Sequence, residues 1–225
     1  MLMHGTTQAP EGWDRLVTAL TSRGHRCIAV DLVGIEERSV DQYAAAVGRA
    51  VPADVDRPVL VAHSGTGPVL PAAARLLEAR RQVWLAAIIP DGQRALLEEI
   101  RSIPTDIFNP EWLGKDPTAD PVLASYFLFH DCDLDTLQWA LTTLRLFAPS
   151  ALYADTVALL PRIPSTYIVA TGDRTLRPDW CRRAARQRLG AEIIDIDAGH
   201  CPHVSRPHQV ADILDRLASA PSHSG

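Results

Sequence analysis

VLVAHSGTGPVL, residues 59–70, is an apolar run that stops on a serine and restarts beyond a patch of small residues. Val59 to Val61 form a continuous apolar stretch of the kind buried on both faces of a parallel sheet. From Gly67 onward, GPVLPAAARLLEARR changes to an Ala/Leu/Arg-rich helical pattern. A serine on so tight a strand-to-helix turn is the geometry of a nucleophile elbow, and small neighbours let strand and helix close around it. The strict G-x-S-x-G form calls for glycine at 62 and 66, where this chain carries Ala62 and Thr66. The competing reading is structural, with Ser64 serving only as a helix cap. The turn alone does not separate the two.

The surrounding pattern places the turn in a sheet. Strand-like runs at 1–4, 26–32, 58–63, 83–89, 166–171 and 192–197 alternate with helical runs near 11–23, 39–51, 67–80, 178–189 and 206–219. That alternation predicts an α/β fold with a mainly parallel six-stranded sheet flanked by helices. The spacing breaks after residue 90. Residues 91–162 read as helical, punctuated by prolines and aspartates, and are expected to form an inserted lid over a core made of 1–90 and 163–225. Within it, Leu137, Ala140, Leu141, Leu144 and Ala148 recur at helical spacing. VLASYFLF and LQWALTTLRLFAPSALY hold more large apolar side chains than isolated surface helices bury against one another. Their surplus face is expected to cover the strand ends, where open α/β sheets bind ligands.

Composition narrows the class. The 225 residues suffice for one α/β core with an insertion. A hydrophobic share of 47% and a charged share of 22% are ordinary globular values. The net charge of −5 gives no electrostatic reason to bind nucleic acid or an anionic membrane. The N-terminal MLMHGTT lacks the pattern of a secretory leader, and no apolar run is long enough to span a bilayer. Cys27, Cys132, Cys181 and Cys201 are scattered without a C-x-x-C pair, as reduced thiols in a cytoplasmic protein are. The partner implied is a small-molecule substrate, and a homodimer is left open. The tail SAPSHSG reads as disordered.

A serine nucleophile needs a base, and the base needs an orienting acid. His200 follows the last strand across Ala198-Gly199, on the side where Ser64 emerges; His203 is the rival base. Asp173 lies just past the fifth strand in YIVATGDRTLRP, with Asp91, in IIPDG after the fourth, as the alternative acid. The order Ser64, Asp173, His200 is that of one serine-hydrolase fold and differs from the others. An oxyanion hole needs two backbone N–H donors, which Gly65 and Thr6 would supply, with Gly5 allowing the first loop to turn beside the substrate.

These motifs resemble the α/β-hydrolase superfamily, in particular the branch of plant methylesterases and hydroxynitrile lyases. The resemblance rests on MLMHG with Trp13 downstream, on VAHSGTG, on YIVATGDRTLRP and on AGHCPHVSRPHQVADIL. It implies Ser64, Asp173 and His200 as triad and Thr6 and Gly65 as oxyanion donors. It also separates two chemistries. The lyases carry a threonine after the first-strand histidine and a lysine after the catalytic histidine, where this chain has Gly5 and Cys201. Hydrolysis of an ester, or a thioester, of a small hydrophobic acid is therefore expected, ahead of a lyase, decarboxylase or cyclase using the same residues, or a small-molecule receptor or pseudoenzyme.

His4, Gly5, His63, Phe127, His130, Trp139 and Cys201 are expected to border the substrate, with Trp112 a further lid candidate. FHDCD (129–133) brings together metal-ligand types, but adjacent residues point in different directions, and Asp133 suits a helix cap. No metal is expected. Without a phosphate loop or dinucleotide fingerprint, no cofactor is implied.

Overall fold

The computed structural model describes residues 1–34, 39–159 and 163–219. His223, nearly all of the serine-rich tail and the expected lid boundary at 162 lie outside them. Six strands, β1 (Leu2–Met3), β2 (Ala29–Val30), β3 (Val59–His63), β4 (Arg81–Leu85), β5 (Ser165–Ala170) and β6 (Glu192–Ile196), form one sheet in the order β2-β1-β3-β4-β5-β6. Every pairing is parallel, so all six strands present their carboxyl ends at the same edge.

Three helices, α1 (Asp14–Thr21), α2 (Val40–Ala50) and α3 (Val69–Leu76), follow the first three strands. Between β4 and β5 come α4 (Leu96–Ser102), α5 (Pro104–Ile107), α6 (Pro121–Phe127), α7 (Leu134–Thr142) and α8 (Ser150–Ala154). The chain closes with α9 (Pro178–Ala184), α10 (Pro202–Ser205) and α11 (Pro207–Ser219). Strand residues alternate between two cores, as the period of two demands. Leu60, Ala62, Trp84, Tyr167 and Val169 point to the α2–α3–α9 side. Val61, Val83, Leu85 and Ile168 point to the α1–α11 side. A third cluster, including Ala124, Phe127, Phe129 and Ala140, joins α6 and α7 to Cys201 and Val204 of the loop and helix after β6.

One strand differs from the sequence expectation in an informative way. The apolar run 83–89 does not form one strand. Pairing begins earlier, at Arg81 and Gln82, and ends at Leu85. Ala86 then turns at φ +42°, and residues 87–89 continue as a buried loop. Apolar composition does not distinguish a buried strand from a buried loop, and here one run contains both. β1 and β2 are likewise shorter than expected, pairing over two residues each, with β2 at the sheet edge and β1 between β2 and β3.

That buried loop is what the turn at Ser64 rests on. The Ile88 N–H donates to the Ser64 carbonyl at 2.9 Å. A Cβ on Gly67 would overlap the Ile88 carbonyl oxygen and stand 3.2 Å from the Trp84 ring. The clash is with backbone, which cannot swing aside. Gly67→Ala is expected to destabilise the fold by about 1–3 kcal/mol through overpacking. Denaturant unfolding checks this: the midpoint should fall at an unchanged m-value.

Candidate active site

Ser64 follows β3 in the left-handed region at φ +56°, a conformation that costs a β-carbon-bearing residue about 1–2 kcal/mol and is seldom adopted without reason. The turn departs from strict glycine spacing without losing its geometry. Ala62 is fully buried against the sheet, and the Thr66 hydroxyl donates back to the His63 carbonyl at 3.0 Å. The close backbone approach falls at Gly67, one residue later than the strict motif places it.

The Ser64 hydroxyl donates to His200 Nε2 at 2.9 Å. His200 Nδ1–H donates to Asp173 Oδ2 at 2.8 Å. The other oxygen of Asp173 accepts from the Thr175 N–H and hydroxyl, each at 2.7 Å, and from the Leu176 N–H at 3.0 Å. These bonds fix the carboxylate plane. His200 and Asp173 side chains are both 2% exposed, so their pairing is shielded from water. Asp91, the alternative acid, is turned elsewhere. It accepts from the Gln93 and Arg94 N–H groups and pairs with the Arg94 guanidinium at 2.8 Å. His203, the rival base, is buried behind His200 and donates from Nε2 to Gln8 at 3.0 Å.

Thr6 and Gly65 lie in contact beside Ser64. A Cβ on Gly65 would come within 2.6 Å of Thr6 Cγ2, and one on Gly5 within 3.1 Å of Ser64 Cβ. Ser64, Thr6 and Gly65 face a cavity of about 410 Å³. Its other walls are Ile88, Leu97, Phe108, Trp112, Phe147 and the 148–150 turn, closed by Tyr153, Thr175 and Leu176. None of these lining residues carries a charge.

The expected substrate border is corrected in part. Trp112 lines the cavity, but Phe127 stands behind it, edge-on at 5.3 Å. Trp139 faces the opposite way, under the Arg15 guanidinium at 4.7 Å. His4 lies behind Phe147, its Nδ1–H donating to the Gly5 carbonyl while Nε2 accepts the Leu32 N–H. Cys201 is buried in the third cluster beside Gln8. His63 is fully buried, and its Nε2–H donates to the His200 carbonyl at 2.9 Å.

His130 also lies outside the cavity wall, yet it has a position the sequence did not suggest. Its Nε2–H donates to the Gly172 carbonyl at 2.9 Å, next to Asp173. Its neighbour Asp131 accepts the Gly199 N–H at 2.9 Å, next to His200. The pair therefore braces the two loops that carry Asp173 and His200. In FHDCD each residue has separate work, for Asp133 accepts the Thr136 N–H at 2.8 Å and caps α7. Phe147, Pro149 and Tyr153 fall in the apolar-rich stretch that pointed to the lid. The helical spacing from Leu137 to Ala148 does not apply to them, because α7 ends at Thr142.

His63, Cys201 and His203 bring one ligand-type atom each within 4.8 Å of one another. Gln8 accounts for this grouping, since its carbonyl accepts from both Cys201 and His203 and its amide donates to Thr143. Burial pushes the Cys201 thiol pKa well up and keeps it neutral.

The chain belongs to the alpha/beta hydrolase family, whose model matches residues 1–213. It is similar to methylesterase 9 of Arabidopsis thaliana, 25% identical over 251 residues that cover 97% of both chains. It is similar as well to polyneuridine aldehyde esterase of Rauvolfia serpentina, 23% identical over 95% of this chain and 93% of that one. The crystal structure titled as polyneuridine aldehyde esterase superposes with a TM-score of 0.79 at 20% identity, covering 97% of this chain and 98% of that chain, which shows a shared fold. Among the described residues, no helix is long and apolar enough to cross a membrane.

The buried histidines make stability depend on pH. Burial, then the neighbouring His200, lowers the His203 pKa to about 3, and burial and the nearby histidines lower that of His63 well below its ordinary value. An unfolded histidine takes up its proton near 6.5. Acid therefore favours the unfolded chain: the contribution is complete above about pH 6.5 and is lost as pH falls towards about 3. Within that window His203 alone should lower stability by about 1.4 kcal/mol per pH unit. His203→Asn should flatten the acid limb of a stability–pH curve, measured by denaturant unfolding, by about one proton.

Proposed function

We propose that the protein is a cofactor-free serine esterase that cleaves an uncharged ester of a small hydrophobic acid through an acyl-enzyme. The observation that carries this reading is the hydrogen-bonded series Asp173–His200–Ser64, ending at the floor of an apolar cavity. The names of the methylesterase and aldehyde-esterase relatives support the same class.

In this reading Ser64 Oγ attacks the ester carbonyl while its proton passes to His200 Nε2. The carbonyl π pair moves onto oxygen, and the Thr6 and Gly65 N–H groups stabilise that oxyanion. Asp173 holds His200 in the tautomer whose Nε2 is free to accept, and stabilises the imidazolium that forms. Collapse expels the alcohol, which takes the proton from His200. Water, deprotonated by the same histidine, then releases the acid. The segment between β4 and β5 acts as a cap whose Leu97, Phe108, Trp112 and Phe147 keep the cavity dry, and donors act more strongly in a water-poor site. The uncharged wall favours a neutral acyl and alcohol pair over a charged one. Hydrolysis is favoured over cyanide elimination because the residues lining the cavity include no cation to stabilise a departing cyanide.

Ser64→Ala should lower kcat on p-nitrophenyl esters by about three or more orders of magnitude, with the unfolding midpoint nearly unchanged. A fluorophosphonate should label Ser64 stoichiometrically in the parent chain. Turnover that survives complete labelling would exclude the mechanism.

Trp112→Ala should raise KM for bulky aryl esters by about tenfold while leaving kcat on p-nitrophenyl acetate within about threefold. Trp139→Ala, on the far side of its helix, should change neither ester's KM. Steady-state kinetics on the two esters separate these outcomes.

A further inference from the structure

An oxyanion hole made of backbone N–H groups works only if the peptide units carrying them are held in fixed orientation. One stretch of chain, residues 143–153, holds the carbonyls of both residues concerned. The Phe147 N–H donates to the Thr6 carbonyl at 2.8 Å. The Tyr153 hydroxyl donates to the Gly65 carbonyl at 3.0 Å.

The stretch is itself fastened along the first-strand loop. The Ala9 N–H donates to Thr143, the Arg145 N–H donates to Thr7, and Gln8 bridges Leu144 in antiparallel register. Just past Tyr153, the Asp155 carboxylate accepts the Val40 N–H of α2 at 2.8 Å. Position 65 matches this arrangement, since a Cβ there would overlap the Tyr153 hydroxyl and crowd Thr6. Burial raises the Tyr153 pKa, helped by Tyr43, so the phenol remains a donor at any working pH.

We propose that Tyr153 is a positioning residue: with the Phe147 N–H, it anchors the peptide carbonyls that follow Gly65 and Thr6, which limits rotation of these two residues and keeps the N–H groups on their other side converged on the oxyanion. The proposal rests on the serine-esterase reading above. It makes the stretch 143–153 part of the catalytic apparatus as well as a wall of the cavity. Tyr153 acts through Gly65 and takes no proton from the substrate.

Tyr153→Phe removes one oxygen and almost no volume. The test compares two ligands, hexyl trifluoromethyl ketone and hexyl methyl ketone. Ser64 adds to the first: the Oγ–C bond forms, the hydroxyl proton passes to His200 Nε2, and the carbonyl π pair becomes an oxyanion. The second binds without addition. The variant should weaken the trifluoromethyl ketone about tenfold and lower kcat on p-nitrophenyl acetate by a similar factor, the size of one well-placed hydrogen bond. Inhibition by the methyl ketone and KM should shift by no more than about twofold, so the contrast between the two ketones carries the result.

An unchanged trifluoromethyl ketone constant would overturn the proposal. Equal weakening of both ketones would overturn it too, because it would mark Tyr153 as a packing residue only. The parent chain is labelled with fluorophosphonate in parallel. Failure of that label would remove the esterase reading itself, and failure of the ketone contrast with Ser64 labelled removes only the role of Tyr153.

Discussion

The left-handed backbone at Ser64 is the constraint on which the site depends. A serine does not hold φ +56° unaided, and here it is held from several sides. β3 enters under it as a central strand paired on both sides. The Ile88 N–H binds its carbonyl, and Gly67 lets the backbone of the 86–89 loop come within contact distance. The strain at one residue is thus balanced by sheet pairing and close packing that only a buried loop after β4 provides. This is why a run of pure apolar sequence at 83–89 is divided between ladder and loop.

A second level of order surrounds that turn. Asp173 and His200 sit on loops leaving β5 and β6, and neither loop is left to find its place alone. Thr175 and Leu176 hold the carboxylate, His63 holds the His200 carbonyl, and the His130–Asp131 pair ties both loops together. His63 lies between His200 and His203, its ring centroid 4.8 Å from the first at a tilt and 4.5 Å from the second edge-on. Trp13 packs on His203 at 4.2 Å. Neutral and desolvated, these rings give His200 a rigid, weakly polar backing. Their cost appears only in acid, when the unfolded chain can protonate them and the folded chain cannot.

Much of the architecture was legible because each βα unit signals itself locally. Apolar runs ending in small residues marked β3, β5 and β6, and the polar residues just beyond them, Ser64, Asp173 and His200, are indeed hydrogen-bonded in series. The elbow departures were legible only in part. Thr66 looked like a loss, whereas its hydroxyl closes on His63 and the close approach moves to Gly67. The cavity wall was the least legible. Periodicity told that the inserted segment had a surplus apolar face, but not which way each short helix turns. Trp139 lies on α7 among the periodic positions Leu137, Ala140 and Leu141 but faces Arg15. Phe147 and Tyr153 lie beyond the helix, where no period applies, and they form the wall. Tertiary packing of short elements decides such directions, and nothing in a single stretch of sequence encodes it.

The brace between His130, Asp131 and the loops after β5 and β6 bears on how such a chain can diverge. An inserted segment is usually regarded as an exchangeable module, free to vary so long as its two ends meet the core. Here the insert contributes hydrogen bonds to the residues immediately before Asp173 and before His200. A segment transplanted from a relative would bring its own pocket shape and leave Gly172 and Gly199 without their partners, unless the donor carried equivalent residues at the matching bend. Substitutions confined to the wall are under no such restriction. Drift in pocket shape through single wall residues is therefore open to this chain, while wholesale exchange of the insert is tied to the loops that carry Asp173 and His200.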